Sequence, residues 1–373
     1  MRRIALVICA KNEAFLIRST VETARKALRT GDALFVIADN CTDRTAVEAR
    51  SAGAEVIIRD QSYPPGKGAA ISWFVKTHSQ RLLLFSYLVI LDADSIIDSN
   101  FISVLDQSLG KEECAAQCFV SPVGYEESPV GTLAALSETV EQTIFEHLHA
   151  KVGWPVRLRG TGMIFSPKVL MDLDFGIDSE VEDMVLSLLL TEKKVHIHAI
   201  ENAQVFDPKP LKAAAASRQR SRWYRGQLKT FWDYRRTVVK ILFSGLGGCS
   251  LLGSLFLKPR WLKMLVMLLL CGLLINYPWV ALPILSVALS EVALFTAGLI
   301  RSPNRYQFFR ALWYLPGFIL MWIRSILMST QKKSWLSVRD TQTRDEHTNG
   351  DQKVSRNDWD EWLKYVASQK GVK

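Results

Sequence analysis

Three short runs in this chain combine residue types that can do chemistry. The first is Asp92-Ala93-Asp94, directly after the apolar run Leu88–Leu91. Side chains two apart in an extended segment point the same way. Two carboxylates so placed repel each other unless a cation sits beside them. Hard divalent ions such as Mg2+ and Mn2+ take carboxylate oxygens together with phosphate oxygens, so the pair suits a metal held against a diphosphate. Taken alone the pattern is weak, because a polar turn after a strand reads the same way. The second run is Glu182-Asp183, which opens the apolar helical stretch Met184–Leu190. The helix dipole favours acids in a first turn. The functional alternative is a general base tuned by its surroundings. The third run is Gln219-Arg220-Ser221-Arg222-Trp223, inside the basic stretch Arg218–Arg225 and of helical composition. Arginine forks recognise phosphate oxygens and stabilise charge on a departing diphosphate. An indole face suits the C–H surface of a sugar ring while its N–H donates a hydrogen bond. A basic juxtamembrane helix lying on anionic lipid is the plainer reading.

Such residues need a scaffold that brings them to one place. Ile4–Ala10, Ala33–Ala38, Glu55–Ile58 and Tyr87–Leu91 are short runs rich in apolar and β-branched residues. Nearly continuous apolar runs predict strands buried on both faces. Glu13–Leu28 and Thr42–Ser51 carry apolar residues at helical spacing among Ala, Arg and Glu, and predict helices between the strands. Strand alternating with helix gives an α/β fold with a mostly parallel, Rossmann-like sheet and flanking helices. In open sheets of this kind the ligand lies at the carboxyl edge of the strands. No GxGxxG follows the first strand, which argues against a nicotinamide dinucleotide site.

The rest of the chain has a different composition. Its 373 residues suggest two domains, or one with a large appendage. Lys and Arg total 46 against 37 Asp and Glu, a net charge of +9. With 49% hydrophobic and 22% charged residues, disordered, collagen-like and coiled-coil chains are excluded. A basic and apolar chain fits contact with anionic lipid better than nucleic acid, and no nucleic-acid partner is expected. The six cysteines, Cys9, Cys41, Cys114, Cys118, Cys249 and Cys271, form no CxxC pair and read as reduced thiols in the cytosol. Ile4–Ala10 is too short for a signal-peptide core, and Lys11 and Glu13 end it. From Met264 to Ile300 the only charged residue is Glu291. One helix of that length would reach about 55 Å, well beyond a ~30 Å hydrocarbon core. Asn276-Tyr277-Pro278 breaks the run, so a membrane hairpin of roughly 262–277 and 280–300 is expected. Lys258, Arg260 and Lys263 before it, and Arg301 and Arg305 after it, place both ends in the cytosol. The next apolar stretch, about 307–328, is bracketed closely by Arg310 and Arg324 and interrupted by Pro316-Gly317. It reads either as interfacial or as a third span. Residues 245–257 read as interfacial. The expected domains are thus 1–237, cytosolic and catalytic; 238–330, membrane; and 331–373, a polar cytosolic tail. In that tail Ser355 to Asp358 resembles a capping box ahead of a helix with Trp359 and Trp362.

Taken together and in order, the motifs resemble the inverting family-2 glycosyltransferases of GT-A fold. These motifs are Asn12-Glu13, Asp39-Asn40-Cys41-Thr42-Asp43, Gly66-Lys67-Gly68, Asp92-Ala93-Asp94, Gly160-Thr161-Gly162, Glu182-Asp183 and Gln219 to Trp223. The likeness is greatest to the membrane-attached branch with the cellulose, chitin and hyaluronan synthases, and it runs from Ile4 to Gly226. It implies transfer from a nucleotide-sugar, most simply a UDP-sugar, with Mg2+ or Mn2+ as cofactor. It further implies that Ala10, Asn12 and Glu13 line the nucleoside, that Asp39 accepts the uracil N–H, and that Lys67 lies near the nucleotide. Asp94 would ligate the metal, with Asp92 beside it and towards the ribose, and Arg222 would contact the diphosphate. Gly160, Thr161, Gly162, Glu182, Gln219 and Trp223 would shape the acceptor site, and Asp183 would be the catalytic base.

The implied function is inverting, β-forming transfer to a growing polysaccharide or glycan at the cytoplasmic face of the inner membrane. The expected protein is multi-pass, with its catalytic domain in the cytosol. Its expected partners are the nucleotide-sugar, the glycan acceptor, membrane lipid and other synthase or export subunits. Those synthases usually carry more membrane helices, and some precede the catalytic domain, so a closed polysaccharide channel from one such chain is not expected. Two alternatives remain: transfer of a single sugar to a polyprenyl-phosphate or lipid-linked acceptor, and a non-catalytic nucleotide-sugar-binding subunit. Trp335-Leu336-Ser337-Val338-Arg339 also resembles a short segment of some bacterial members. The motifs do not name the sugar.

Overall fold

The computed structural model describes residues 2–329 except 111–113, 127, 174–178, 211 and 303. Four strands form one half of the sheet: β1 (Ile4–Ala10), β2 (Ala33–Asp39), β3 (Glu55–Arg59) and β4 (Tyr87–Asp92). They are mutually parallel, in the order β3-β2-β1-β4. All four lie where apolar runs place them. Along β1 the reason is visible: Ile4, Leu6 and Ile8 pack into one hydrophobic core, and Ala5 and Val7 into the core on the opposite face. A strand covered on both sides cannot alternate with polar residues.

The other half is mixed. It contains β5 (Ile96–Ile97), β6 (Ala115–Val123), β7 (Met163–Phe165) and β8 (Ile197–Pro208). The full order is β3-β2-β1-β4-β7-β6-β8-β5. β7 runs antiparallel to both β4 and β6, β8 is parallel to β6, and β5 is antiparallel to β8. Helices Ile17–Ala27, Thr45–Ser51 and Lys67–Thr77 connect the parallel strands. The first starts later than the expected Glu13. The backbone N–H of Glu13 donates to Thr45 Oγ1 at 2.7 Å and that of Ala14 to Asp43 Oδ2 at 3.1 Å. These bonds tie the segment after β1 to the segment that opens helix Thr45–Ser51.

Helix Glu182–Glu192 precedes β8, and after β8 the described chain is helical: Ala213–Asp233, Arg235–Leu242, Leu246–Phe256, Arg260–Leu273, Pro278–Arg301 and Arg305–Ala311, with a 3-10 turn leading into Leu315–Ser329. Helix Leu246–Phe256 buries Leu251, Leu252 and Leu255 against Val181, Met184 and Leu188. Its apolar face therefore packs on the start of helix Glu182–Glu192. The expected hairpin has unequal arms. Arg260–Leu273 has 14 residues, about 21 Å of helix against a ~30 Å core. Among the described residues two helices are long and apolar enough to cross a membrane, Pro278–Arg301 and Arg305–Ser329. Pro316 does not break the second, because it sits in the first turn of Leu315–Ser329, where a missing N–H costs nothing. The tail features at Trp335–Arg339 and Ser355–Trp362 lie outside the described residues.

Candidate functional site

The register of the sheet assembles the site. Cys9 on β1 pairs with Asp92 on β4, and Ala10 with Ala38 on β2. The loops after these three strands therefore leave one edge side by side. β7 runs the other way, so it begins at this edge, with Met163 paired to Ile90. That brings Gly160-Thr161-Gly162 beside Asp92-Ala93-Asp94 although the two motifs are far apart in sequence. The backbone N–H of Asp92 donates to Thr161 Oγ1 at 3.2 Å, and Thr161 Oγ1 shares a 2.7 Å hydrogen bond with Ser95 Oγ. Gly160 and Gly162 have φ of +82° and +67°. A Cβ on Gly162 would come within 3.0 Å of Cys118 Cβ and Val205 Cγ2, so both conformation and space call for glycine there.

Asp39 ends β2, and Asn12 and Glu13 follow β1, at the same edge of the sheet. Asp39 is buried and largely committed to its own scaffold. Its Oδ1 accepts from Arg59 and from Asn40 Nδ2, the latter at 2.8 Å, and its Oδ2 accepts from the Gly66 N–H at 2.9 Å. A carboxylate has about four acceptor positions, so one remains on Oδ2 for a ligand. Arg59, 2% exposed, also donates to the Pro64 carbonyl at 2.9 Å and lies over the Tyr63 ring. Sequence reasoning missed Arg59. Its signal is a charged residue directly after the apolar run Val56–Ile58. Asn12 has a left-handed backbone, φ +55°, and its Oδ1 accepts from the Thr42 N–H at 2.9 Å. The Ala10 carbonyl faces Cys41 Sγ at 3.4 Å.

Lys67 is the hub. It opens its helix just after Gly66, and its Nζ donates to Asp92 Oδ1 at 2.6 Å and to the Gly160 carbonyl at 2.7 Å. The same nitrogen lies 3.3 Å from Glu182 Oε1. Burial works against the ammonium, but the charges of Asp92 and Glu182 outweigh it and hold the Lys67 pKa above its ordinary range. Gly68 permits this approach, since a Cβ there would sit 3.0 Å from Glu182 Cβ. Asp183, the second residue of helix Glu182–Glu192, accepts from the Met184 N–H at 2.9 Å. Burial, and then the neighbouring charge of Glu182, raise its carboxyl to about 6, with Arg157 and Lys67 acting the other way.

Helix Ala213–Asp233 carries Gln219, Arg222 and Trp223. Arg222 Nη1 donates to the Glu180 carbonyl at 3.2 Å, and Arg225 lies 3.3 Å from Glu180 Oε1. A Cβ on Gly226 would meet Val181 at 2.9 Å. The helix thus abuts the segment that leads into Asp183. Trp223 is exposed and Gln219 half-buried, and among the described residues neither is hydrogen-bonded to the Lys67–Asp92–Glu182 group.

Asp94 has an unforeseen neighbour. β5 pairs with β8 so that Ile96 faces Phe206, which brings Asp207 close to Asp94. Burial raises the Asp207 carboxyl to about 7. Lys209 opposes the shift, and Asp94 and Glu138 add to it. No group of three or more His, Cys, Asp or Glu side chains among the described residues could hold a metal. A divalent ion at Asp92 and Asp94 would complete its oxygen shell with phosphate and water, which fits an ion that arrives with a diphosphate.

Residues 2–226 match the family model described as "Glycosyltransferase like family 2". A mannosyltransferase from Pyrobaculum calidifontis, solved in complex with GDP-Man and Mn2+, shares the fold at a TM-score of 0.53 and 15% identity, covering 89% of this chain and 88% of that one. A glucosyl-3-phosphoglycerate synthase from Mycobacterium tuberculosis, in complex with Mg2+ and UDP, aligns at a TM-score of 0.38 and 22% identity, over 54% and 70% of the two chains. That likeness is too low to argue from. A search of the curated proteins found no match. The family model spans the whole sheet and every motif that meets at its edge: the chain belongs to glycosyltransferase family 2 and is a glycosyltransferase of GT-A fold.

Proposed function

We propose that this enzyme inverts configuration as it moves a sugar from a UDP-sugar to a glycan or lipid-linked acceptor at a membrane surface, with Asp183 as general base. The observation that carries this is the Asp183 carboxyl, raised to about 6 beside the group formed by Lys67, Asp92 and Glu182. A base is most useful when its pKa approaches the working pH. Asp183 takes the proton of the acceptor hydroxyl as that oxygen attacks the anomeric carbon. The bond to the diphosphate breaks from the opposite face, so an α-linked donor yields a β-linked product. Lys67, held by Asp92 and the Gly160 carbonyl, and Arg222, held by the Glu180 carbonyl, offset charge on the departing diphosphate. Asp92 and Asp94 would hold a divalent ion, which supplies further charge neutralisation there.

The free acceptor position on Asp39 Oδ2 suits the N3–H of uracil. The Pyrobaculum calidifontis mannosyltransferase is bound to GDP-Man, so guanine is the competing nucleobase. The two membrane-length helices favour an acceptor presented at a lipid surface. The test is release of nucleoside diphosphate by the detergent-purified protein. The panel is UDP- and GDP-sugars with Mn2+ or Mg2+, in the presence of lipid extract, with the product sized. Release with a UDP-sugar that disappears in Asp183→Asn is expected. Release only with GDP-sugars overturns the uracil reading at Asp39, and full release by Asp183→Asn overturns the mechanism.

A further inference from the structure

Arg220 lies within the basic run but has no part in the site as described. It is 4% exposed, and among the described residues no carboxylate pairs with it. Its Nε is buried without a partner, and its Nη1 finds only Met321 Sδ, at 3.7 Å. Its guanidinium carbon instead lies 5.2 Å from the Phe318 ring centre and 4.8 Å from that of Trp322. Both rings belong to helix Leu315–Ser329, part of a membrane-length apolar segment. A desolvated cation is costly to bury. Two aromatic faces compensate electrostatically, and they do so only in a narrow geometry. A leucine or methionine would fill the same space with no charge to desolvate. Packing alone therefore gives no reason for arginine here, whereas a fixed register between two helices does.

The helix Ala213–Asp233 has two working faces. Arg222, Arg225 and Gly226 meet Glu180 and Val181, just ahead of Asp183. Ser217, Arg220 and Tyr224 form the seam with the apolar helix. Ser217 Oγ lies 3.0 Å from Ser325 Oγ, and the Tyr224 ring is 5.7 Å from that of Trp322. The Tyr224 hydroxyl then donates to the Lys258 carbonyl at 2.8 Å, where the chain turns towards the apolar helices. A rigid helix cannot shift at one face and stay still at the other.

We propose that Arg220 is a positioning residue: its guanidinium, clamped between Phe318 and Trp322, seats the helix bearing Arg222 and Trp223, so that transfer depends on how the apolar helix Leu315–Ser329 packs. The idea rests on the transfer reading above. It adds a route by which the membrane-length segment bears on the chemistry without touching substrate.

The test uses the full chain. UDP binding with Mn2+ is titrated on purified protein, which counts competent sites. Incorporation of radiolabelled sugar is measured in membrane vesicles from expressing cells, and turnover is expressed per UDP-binding site. Arg220→Met should weaken UDP affinity only modestly, since Arg222 is one of several diphosphate contacts, and should lower kcat per site by roughly 10- to 100-fold, as small misplacements of an active-site group do. Phe318→Leu should give the same split. The double variant should be little worse than either single one, because both remove one interaction. Arg220→Lys, which keeps the charge, should recover part of the rate. If the loss appears only as fewer UDP-binding sites, Arg220 merely supports folding and the proposal fails. Wild-type turnover per site in Arg220→Met, or additive losses in the double variant, also overturns it. No incorporation by the wild-type protein would instead refute the transfer reading.

Discussion

Asp183 and Lys67 make opposite demands on one small space. The folded-state carboxyl of Asp183 titrates near 6 rather than at its ordinary 3.8, chiefly because it is buried and then because Glu182 is adjacent. Transfer should therefore rise with pH through about 6 and level off above it, since the base must be ionised. Replacing Asp183 by Asn should cost roughly 10²–10⁴ in turnover while UDP binding persists; isothermal titration alongside the release assay separates the two. Stability should move the other way. A raised carboxyl pKa favours the folded state at low pH, and that contribution is lost as pH rises through 6. Asp183→Asn should accordingly melt higher than wild type at pH 7.5 and close to it at pH 4, a comparison that calorimetry makes directly. Lys67 holds the Asp183 value down. Lys67→Met should therefore displace the acid limb of the pH–rate profile upwards, and a limb left at its wild-type position would count against Lys67 acting on the base. At Asp94, substitution by alanine should make UDP affinity insensitive to Mn2+ up to several millimolar.

Elements, rather than residues, decide which motifs meet. The turn Gly160–Gly162 is bound to the metal-candidate loop only because the three-residue β7 enters the sheet reversed, between β4 and β6. Gly162→Ala puts a side chain on a left-handed residue and drives its Cβ to 3.0 Å from two neighbours on β6 and β8. A loss of about 1–3 kcal/mol is expected from the backbone term alone, measurable by thermal or urea unfolding, with weakened transfer beyond what stability explains. The order of motifs along the chain was legible because each sits at the end of an apolar run or the start of a helix. Their contacts were not. The reversed β7 has too few residues for a periodicity, and the π-helical turn Glu141–Glu146 that braces the neighbouring loop leaves none either. In that turn Gln142 bonds both backbone groups of Val120, and Glu146 holds Arg157 and Arg159 at 3.2 and 2.7 Å.

At the scale of the whole molecule, the apolar helices are tied to the catalytic half by charge as well as by packing. Arg260 reaches Glu141 at 2.6 Å, and Lys263 pairs with Glu291 on Pro278–Arg301. An ionised residue on so apolar a helix is expensive unless paired, and this pairing accounts for the one charge that interrupts the run. Many exposed apolar side chains cover the helices after Arg260, among them Leu273, Ile275, Trp279 and Trp313. Exposed apolar surface of that extent marks contact with lipid or another apolar partner. The protein should float with lipid vesicles on a density gradient, and should stay with them in 1 M salt because the attachment is apolar. Release by salt alone would mean purely electrostatic adsorption.

The amino-acid sequence by itself determined the parallel strands, the helices between them, the order of the chemical motifs and the apolar character of the C-terminal part. These rest on periodicity and side-chain type within a few neighbouring residues. Only the tertiary structure decided that Lys67 joins Asp92 to Gly160, that Asp39 spends most of its acceptors on Arg59, Asn40 and Gly66, and that Arg220 stacks on Phe318 and Trp322. Most of these contacts link residues tens of positions apart in the chain. Their geometry depends on strand register and helix packing, which no local pattern of residues contains.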